Sequence, residues 1–86
     1  MELPAIDASV VVADFDTELV VLVPARRKAH LLEPMWALLF DSCRRGDAVD
    51  DLVAELTNAT DDDPAATRVW VEQALGEFDR LGITSP

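Results

Sequence analysis

Ser9-Val10-Val11-Val12-Ala13 and Leu19-Val20-Val21-Leu22-Val23, separated by Asp14-Phe15-Asp16-Thr17, decide the fold. Both runs are rich in β-branched residues, which pack well on a pleated surface. The first stops at a polar, turn-like cluster, and the second at Pro24, which has no N–H to give a ladder. Together they predict a hairpin. Beyond a short basic connection, Arg26-Arg27-Lys28, the run Ala29-His30-Leu31-Leu32 is long enough for a third strand before Glu33-Pro34 breaks the pattern. The expected sheet is a three-stranded antiparallel meander. Both faces of its first two strands are apolar, so alternation does not say which side meets the core. Either both faces are covered or the sheet edge pairs with another chain.

From Pro34 the apolar residues follow a helical period. Pro34 suits a first turn, and Met35, Leu38, Leu39, Ser42 and Cys43 fall on one side. Arg44-Arg45 favours the negative helix end and Gly46 stops it. A second helix takes Asp47 as N-cap, with Val49, Leu52, Val53 and Leu56 as its apolar stripe. Thr57-Asn58-Ala59-Thr60-Asp61-Asp62 reads as a polar loop. Asp63-Pro64 then opens a third helix that runs to Leu81 and ends at Gly82, burying Thr67, Val71, Ala74, Leu75, Phe78 and Leu81. Trp70 lies beside that stripe, grouped with Ala66, Gln73 and Glu77. The fold class is α+β: a three-stranded antiparallel sheet followed by three helices.

Eighty-six residues make a single domain, 1–86, with its core over about 9–83. Half are hydrophobic, enough to fold. Acidic residues number 17 against 7 Lys and Arg, and a net charge of −10 repels a phosphate backbone. No run approaches the roughly 20 apolar residues of a membrane span. Residues 1–9 carry Glu2 and Asp7 where a signal peptide carries positive charge, so the expected compartment is the cytosol.

Catalysis needs convergent groups, and the chain offers one His, one Cys, no Tyr and no glycine-rich loop. His30 and Cys43 cannot complete a zinc site. Asp61-Asp62-Asp63 lacks the spaced ligands and internal glycine of a calcium loop and reads as a solvated, helix-capping run. Cys43 reads as a small buried hydrophobe rather than a reactive thiol. His30 is a structural residue or a ligand contact. Arg26, Arg27 and Lys28 form either a site for an anionic partner or exposed charge protecting a sheet edge. Trp36 and Trp70 are core, core rim or binding anchors. The expectation is a protein that is not an enzyme and has no cofactor or metal.

The order of elements, with His30-Leu31-Leu32-Glu33-Pro34 at the strand-to-helix junction, resembles the PqqD-like family of precursor-peptide recognition elements. Leu32, Glu33, Pro34, Phe40 and Gly46 stand where that family has a strand-ending Leu, an acidic or amide residue, Pro, a large apolar residue and Gly. Ala48-Val49-Asp50-Asp51-Leu52-Val53 is similar to its second-helix motif, with Ala48 in place of the usual Thr. Val71, Ala74, Leu75, Phe78, Gly82 and Ile83 match its closing helix. The resemblance covers roughly residues 10–83.

It implies a winged-helix-like fold whose third strand is an open edge beside the third helix, forming a groove for a leader peptide. The contacts it implies are Lys28, Ala29, His30, Leu31 and Leu32 on the strand, and Ala66, Trp70, Gln73 and Glu77 on the helix, with Trp70 as apolar anchor. The implied partners are a precursor leader and a separate modifying enzyme, such as a lasso-peptide leader peptidase or a radical maturase. A homodimer through the open edge is a further possibility.

Two other readings compete: a winged-helix DNA-binding regulator, opposed by the charge, and a purely structural oligomerisation module. A gel shift with duplex DNA at low salt separates the first, and the acidic chain is expected to cause no retardation.

Overall fold

The structure is a computed structural model and describes residues 2–16 and 18–85. Strand β1 (Val11–Phe15) pairs antiparallel with β2 (Glu18–Val23), and β2 with β3 (Lys28–Leu32), so β2 is central. Three helices follow: α1 (Pro34–Arg45), α2 (Val49–Thr60) and α3 (Pro64–Leu81). The three-stranded sheet followed by three helices is the α+β arrangement expected.

Strand β1 lies two residues later than the sequence suggests. The Asp7 carboxylate accepts from the Ser9 N–H at 2.9 Å and the Ser9 hydroxyl at 2.6 Å, and Val10 N–H reaches Asp7 C=O at 3.1 Å. That local turn withdraws residues 9 and 10 from the ladder, and the same two hydrogen bonds hold the Asp7 carboxyl below its ordinary pKa. At the other end the register runs from Val11 opposite Leu22 to Phe15 opposite Glu18. The expected turn cluster is thereby shortened, with Phe15 in the strand and Asp16 at φ +56°; Thr17 lies outside the described residues.

Between β2 and β3 the chain makes one 3-10 turn over Pro24–Arg26, closed by Arg27 at φ +52° with its N–H on Pro24 C=O at 3.1 Å. Lys28 belongs to the strand, opposite Val23.

Helix α1 ends as expected, on Gly46 at φ +74°. Its buried face is Ala37, Leu39, Phe40, Ser42 and Cys43, whereas Met35 and Leu38 are only half-buried. The N-cap of α2 is Ala48, not Asp47, and no side chain caps it. The Asp47 carboxylate is instead taken by the Arg45 guanidinium, at 2.9 and 3.1 Å.

Helix α2 also continues four residues beyond Leu56 into the expected loop. There Thr60 Oγ1 donates to Leu56 C=O at 2.8 Å, and Asp61 in the left-handed region sends its N–H to Thr57 C=O. Thr60 and Asp61 of the expected loop thus satisfy hydrogen bonds on the helix, while the buried Thr57 hydroxyl finds no partner among the described residues. Asp63 does cap α3, accepting from Ala65 N–H.

One apolar cluster joins Leu19, Val21 and Val23 of β2, Leu32 of β3, and inward residues of every helix. Leu39, Phe40, Leu52, Leu56, Val71 and Phe78 are fully buried. The N-terminal segment closes the cluster. Leu3 N–H donates to Asp47 C=O at 3.0 Å, Asp7 N–H to Ile83 C=O at 2.9 Å, and Ser85 N–H to Ala5 C=O at 2.8 Å. These bonds tie the α1–α2 junction to the chain's end and bury Leu3 and Ile83.

Urea unfolding checks both kinds of contribution. Phe78→Ala removes a fully enclosed ring and is expected to cost about 3–5 kcal/mol. Asp63→Ala removes only the cap and is expected to cost about 1 kcal/mol.

Candidate functional site

Along β3 the side chains alternate. Lys28, His30 and Leu32 point to the helical side, with Leu32 buried and His30 half-buried, while Ala29 and Leu31 point outward. One edge of β3 is hydrogen-bonded to β2; among the described residues no strand pairs with the other. Beside that edge runs the C-terminal half of α3. Between them lies a groove of about 290 Å³ lined by His30, Leu31, Leu32, Glu33, Trp36, Glu77, Phe78 and Leu81. At the β2–β3 corner a hollow of about 350 Å³, lined by Arg26, Lys28, His30, Arg80 and Leu81, continues it. His30 and Leu81 line both, so the two form one furrow along the strand.

Local interactions set this geometry. The Arg26 guanidinium donates to Arg80 C=O at 2.9 Å, fastening the β2–β3 turn to the C-terminal end of α3, where a cation meets the negative pole of the helix. Gly82 follows at φ +79°, a conformation strained for any other residue, and a Cβ there would lie 3.3 Å from Arg26 Nε. Glu77 accepts from the Arg80 guanidinium, and this hydrogen bond holds its carboxyl below the ordinary value. His30 Nε2 is enclosed and has no hydrogen-bond partner. Burial without a partner is costly for a polar atom, and this one sits where the two parts of the furrow meet.

Of the nine contacts expected, His30, Leu31, Leu32 and Glu77 line the groove and Lys28 lines the hollow. Ala29 lies on the opposite face, beside Leu22, Pro24 and Arg27. Ala66 and Gln73 are exposed on α3 and do not line the furrow, nor does Trp70. Trp70 precedes Glu77 by seven residues, about 10 Å along the helix. Its half-buried ring packs edge-on against Trp36, centroids 5.2 Å apart, and Trp36 in turn lies 5.7 Å from the Phe78 ring. The aromatic residue that faces the furrow is therefore Trp36. Glu33, Phe78 and Leu81 join it, and none of these four was among the expected contacts.

Two other surfaces are open. A hollow of about 350 Å³ between the β1–β2 hairpin and α1 is rimmed by Asp14, Asp16 and Asp41. The face of the sheet away from the helices exposes Val11, Phe15, Leu22 and Leu31, so the apolar second face read in the sequence is left uncovered by the described residues. No helix among them is long and apolar enough to cross a membrane. No group of three or more His, Cys, Asp or Glu among the described residues is placed to hold a metal.

Comparison with known family models finds no match, and neither does comparison with curated proteins. Among solved structures the chain is similar to TbiB1 in complex with the TbiA(beta) leader peptide, at TM-score 0.88 and 16% identity, covering 94% of each chain. That likeness establishes the fold independently of sequence.

Cys43 is buried, and burial pushes its thiol up to about 11. A thiol-specific disulfide reagent at pH 8 is expected to leave it unmodified until denaturant is added, whereas labelling of the native protein would contradict the burial. The unfolded thiol ionises near its ordinary value of 9.0 and the folded one only near 11. The folded state thus holds the extra proton between them, and this contribution to stability is lost as pH rises through that window.

Proposed function

We propose that this domain is a PqqD-like precursor-peptide recognition element that binds the leader of a ribosomally made peptide as a fourth strand on β3. It performs no chemistry on the peptide and delivers it, in the cytosol, to a separate modifying enzyme by raising local substrate concentration. The observation that carries this reading is the unpaired outer edge of β3 with an aromatic-lined furrow beside it. The fold likeness to a chain solved with a leader peptide supports it, since such a peptide is a ligand of that fold.

The physics of strand addition suits the site. Each backbone hydrogen bond to the open edge contributes about 0.5–1.5 kcal/mol whatever the guest sequence, so a short extended segment gains affinity without side-chain recognition. Selectivity then comes from alternate guest side chains, which enter the furrow between Trp36, Phe78 and Leu81. Of the expected contacts, Lys28, His30, Leu31, Leu32 and Glu77 line it together with Glu33, Arg26 and Arg80, and Trp70 acts on it through the Trp36 ring.

The test is a fluorescence-anisotropy titration with labelled leader peptides of ribosomally made precursors. Binding at micromolar Kd or tighter is expected. Trp36→Ala should weaken it by roughly 1–3 kcal/mol, and Trp70→Ala by less, with thermal melts verifying that both variants fold. Absence of binding would contradict the proposal, and a Trp36→Ala affinity equal to wild type would remove that ring from the site.

A further inference from the structure

We infer that the hollow at the β2–β3 corner is a carboxylate subsite, which selects peptides carrying Asp or Glu two residues away from the apolar side chain held in the neighbouring groove. This inference rests on the strand-addition reading above and adds the chemistry of a second specificity position.

The charge distribution motivates it. The chain has only 7 Lys and Arg against 17 acidic residues, yet Arg26, Lys28 and Arg80 converge on this one hollow with the single histidine. Two of these cations are committed within the fold. Arg26 is bound to the Arg80 carbonyl, and Arg80 to the Glu77 carboxylate. Lys28, exposed on the edge strand, engages no carboxylate among the described residues. Three of the chain's seven Lys and Arg thus line one hollow, and Lys28 among them is left without a carboxylate partner among the described residues.

His30 supplies the second observation. Its Nε2 is enclosed and unpartnered on the wall shared by hollow and groove. A guest carboxylate entering the hollow meets the Lys28 ammonium on the exposed strand, beside the wall that His30 contributes.

The spacing follows from strand geometry. Side chains of an added strand face the furrow at every second residue, roughly 7 Å apart. Hollow and groove are adjacent, divided by His30 and Leu81. An apolar side chain between Trp36 and Phe78 thus sets the next inward side chain, two residues along, over Lys28.

The experiment pans a random 12-residue peptide library, displayed with its C-termini fused to the carrier, against the intact chain and its Lys28→Glu variant. Wild type should enrich an apolar residue and Asp or Glu at a spacing of two, and Lys28→Glu should replace that acid with Lys or Arg. Enrichment of the apolar residue without the acid overturns the carboxylate subsite and leaves strand addition standing. No enrichment on wild type overturns both.

Selected peptides are then resynthesised with both ends capped and titrated by anisotropy. Asp→Asn in the peptide should weaken binding to wild type about tenfold and to Lys28→Gln by less than about twofold. Equal weakening on both proteins overturns the role of Lys28. Binding that requires a free C-terminal acid assigns the hollow to a chain terminus and overturns the side-chain assignment.

Discussion

The groove beside the sheet depends on β3 being hydrogen-bonded on one edge only. Its inner edge is fixed by five register pairs with β2, from Leu19 opposite Leu32 to Val23 opposite Lys28. Its outer edge, unpaired among the described residues, offers N–H and C=O groups that bond to water or to a guest chain. An open edge is a general hazard for self-association. Here it is short, ends at Glu33-Pro34, and carries Lys28 at its start, three features that discourage indiscriminate pairing.

A groove forms along the edge because α3 lies beside it. Phe78, fully buried, anchors the helix to the core, and Arg26 fastens the β2–β3 turn to the helix end through the Arg80 carbonyl. Groove width is thus set by packing and by one charge-assisted hydrogen bond rather than by a flexible loop. The β1 edge differs in its chemistry. The hollow beside it is rimmed by three aspartates, and the sheet face next to it is bare and apolar. The hollow by β1 thus carries three carboxylates, whereas the one at the β2–β3 corner carries Arg26, Lys28 and Arg80.

Element order and type were legible in the sequence because each element carries strong local signals: β-branched runs for β1 and β2, Gly46 and Gly82 as helix stops, Asp63-Pro64 as a helix start. Boundaries failed where a polar side chain chose an unexpected partner. Asp7 captured Ser9, Arg45 captured Asp47, and Thr60 bonded back to Leu56, which moved the start of β1, the cap of α2 and its end. The N-terminal clamp through Leu3, Ala5 and Asp7 left no periodic trace because it is built from backbone bonds. On the strand, position alone places Lys28, His30, Leu31 and Leu32 along the furrow, but Ala29 turns to the opposite face. The helical wall could not be placed that way, because wheel spacing gives the azimuth of Trp70 but not its height, and α3 meets β3 near Glu77 and Leu81 instead. Trp36 carried a signal that went unused: two residues beyond Pro34, it lies on the first turn of α1, next to the strand's end.

In the proposed binding mode a guest chain completes the ladder on β3. Intermolecular NOEs between the isotope-labelled domain and an unlabelled leader test it most directly, because cross-strand backbone contacts arise only between paired strands. Strand addition gives such contacts from the peptide to the backbone of Lys28–Leu32, with side-chain contacts to Trp36 and Leu81. Contacts instead to Val11–Phe15, or to the bare face at Leu22 and Leu31 without backbone pairing, would contradict it.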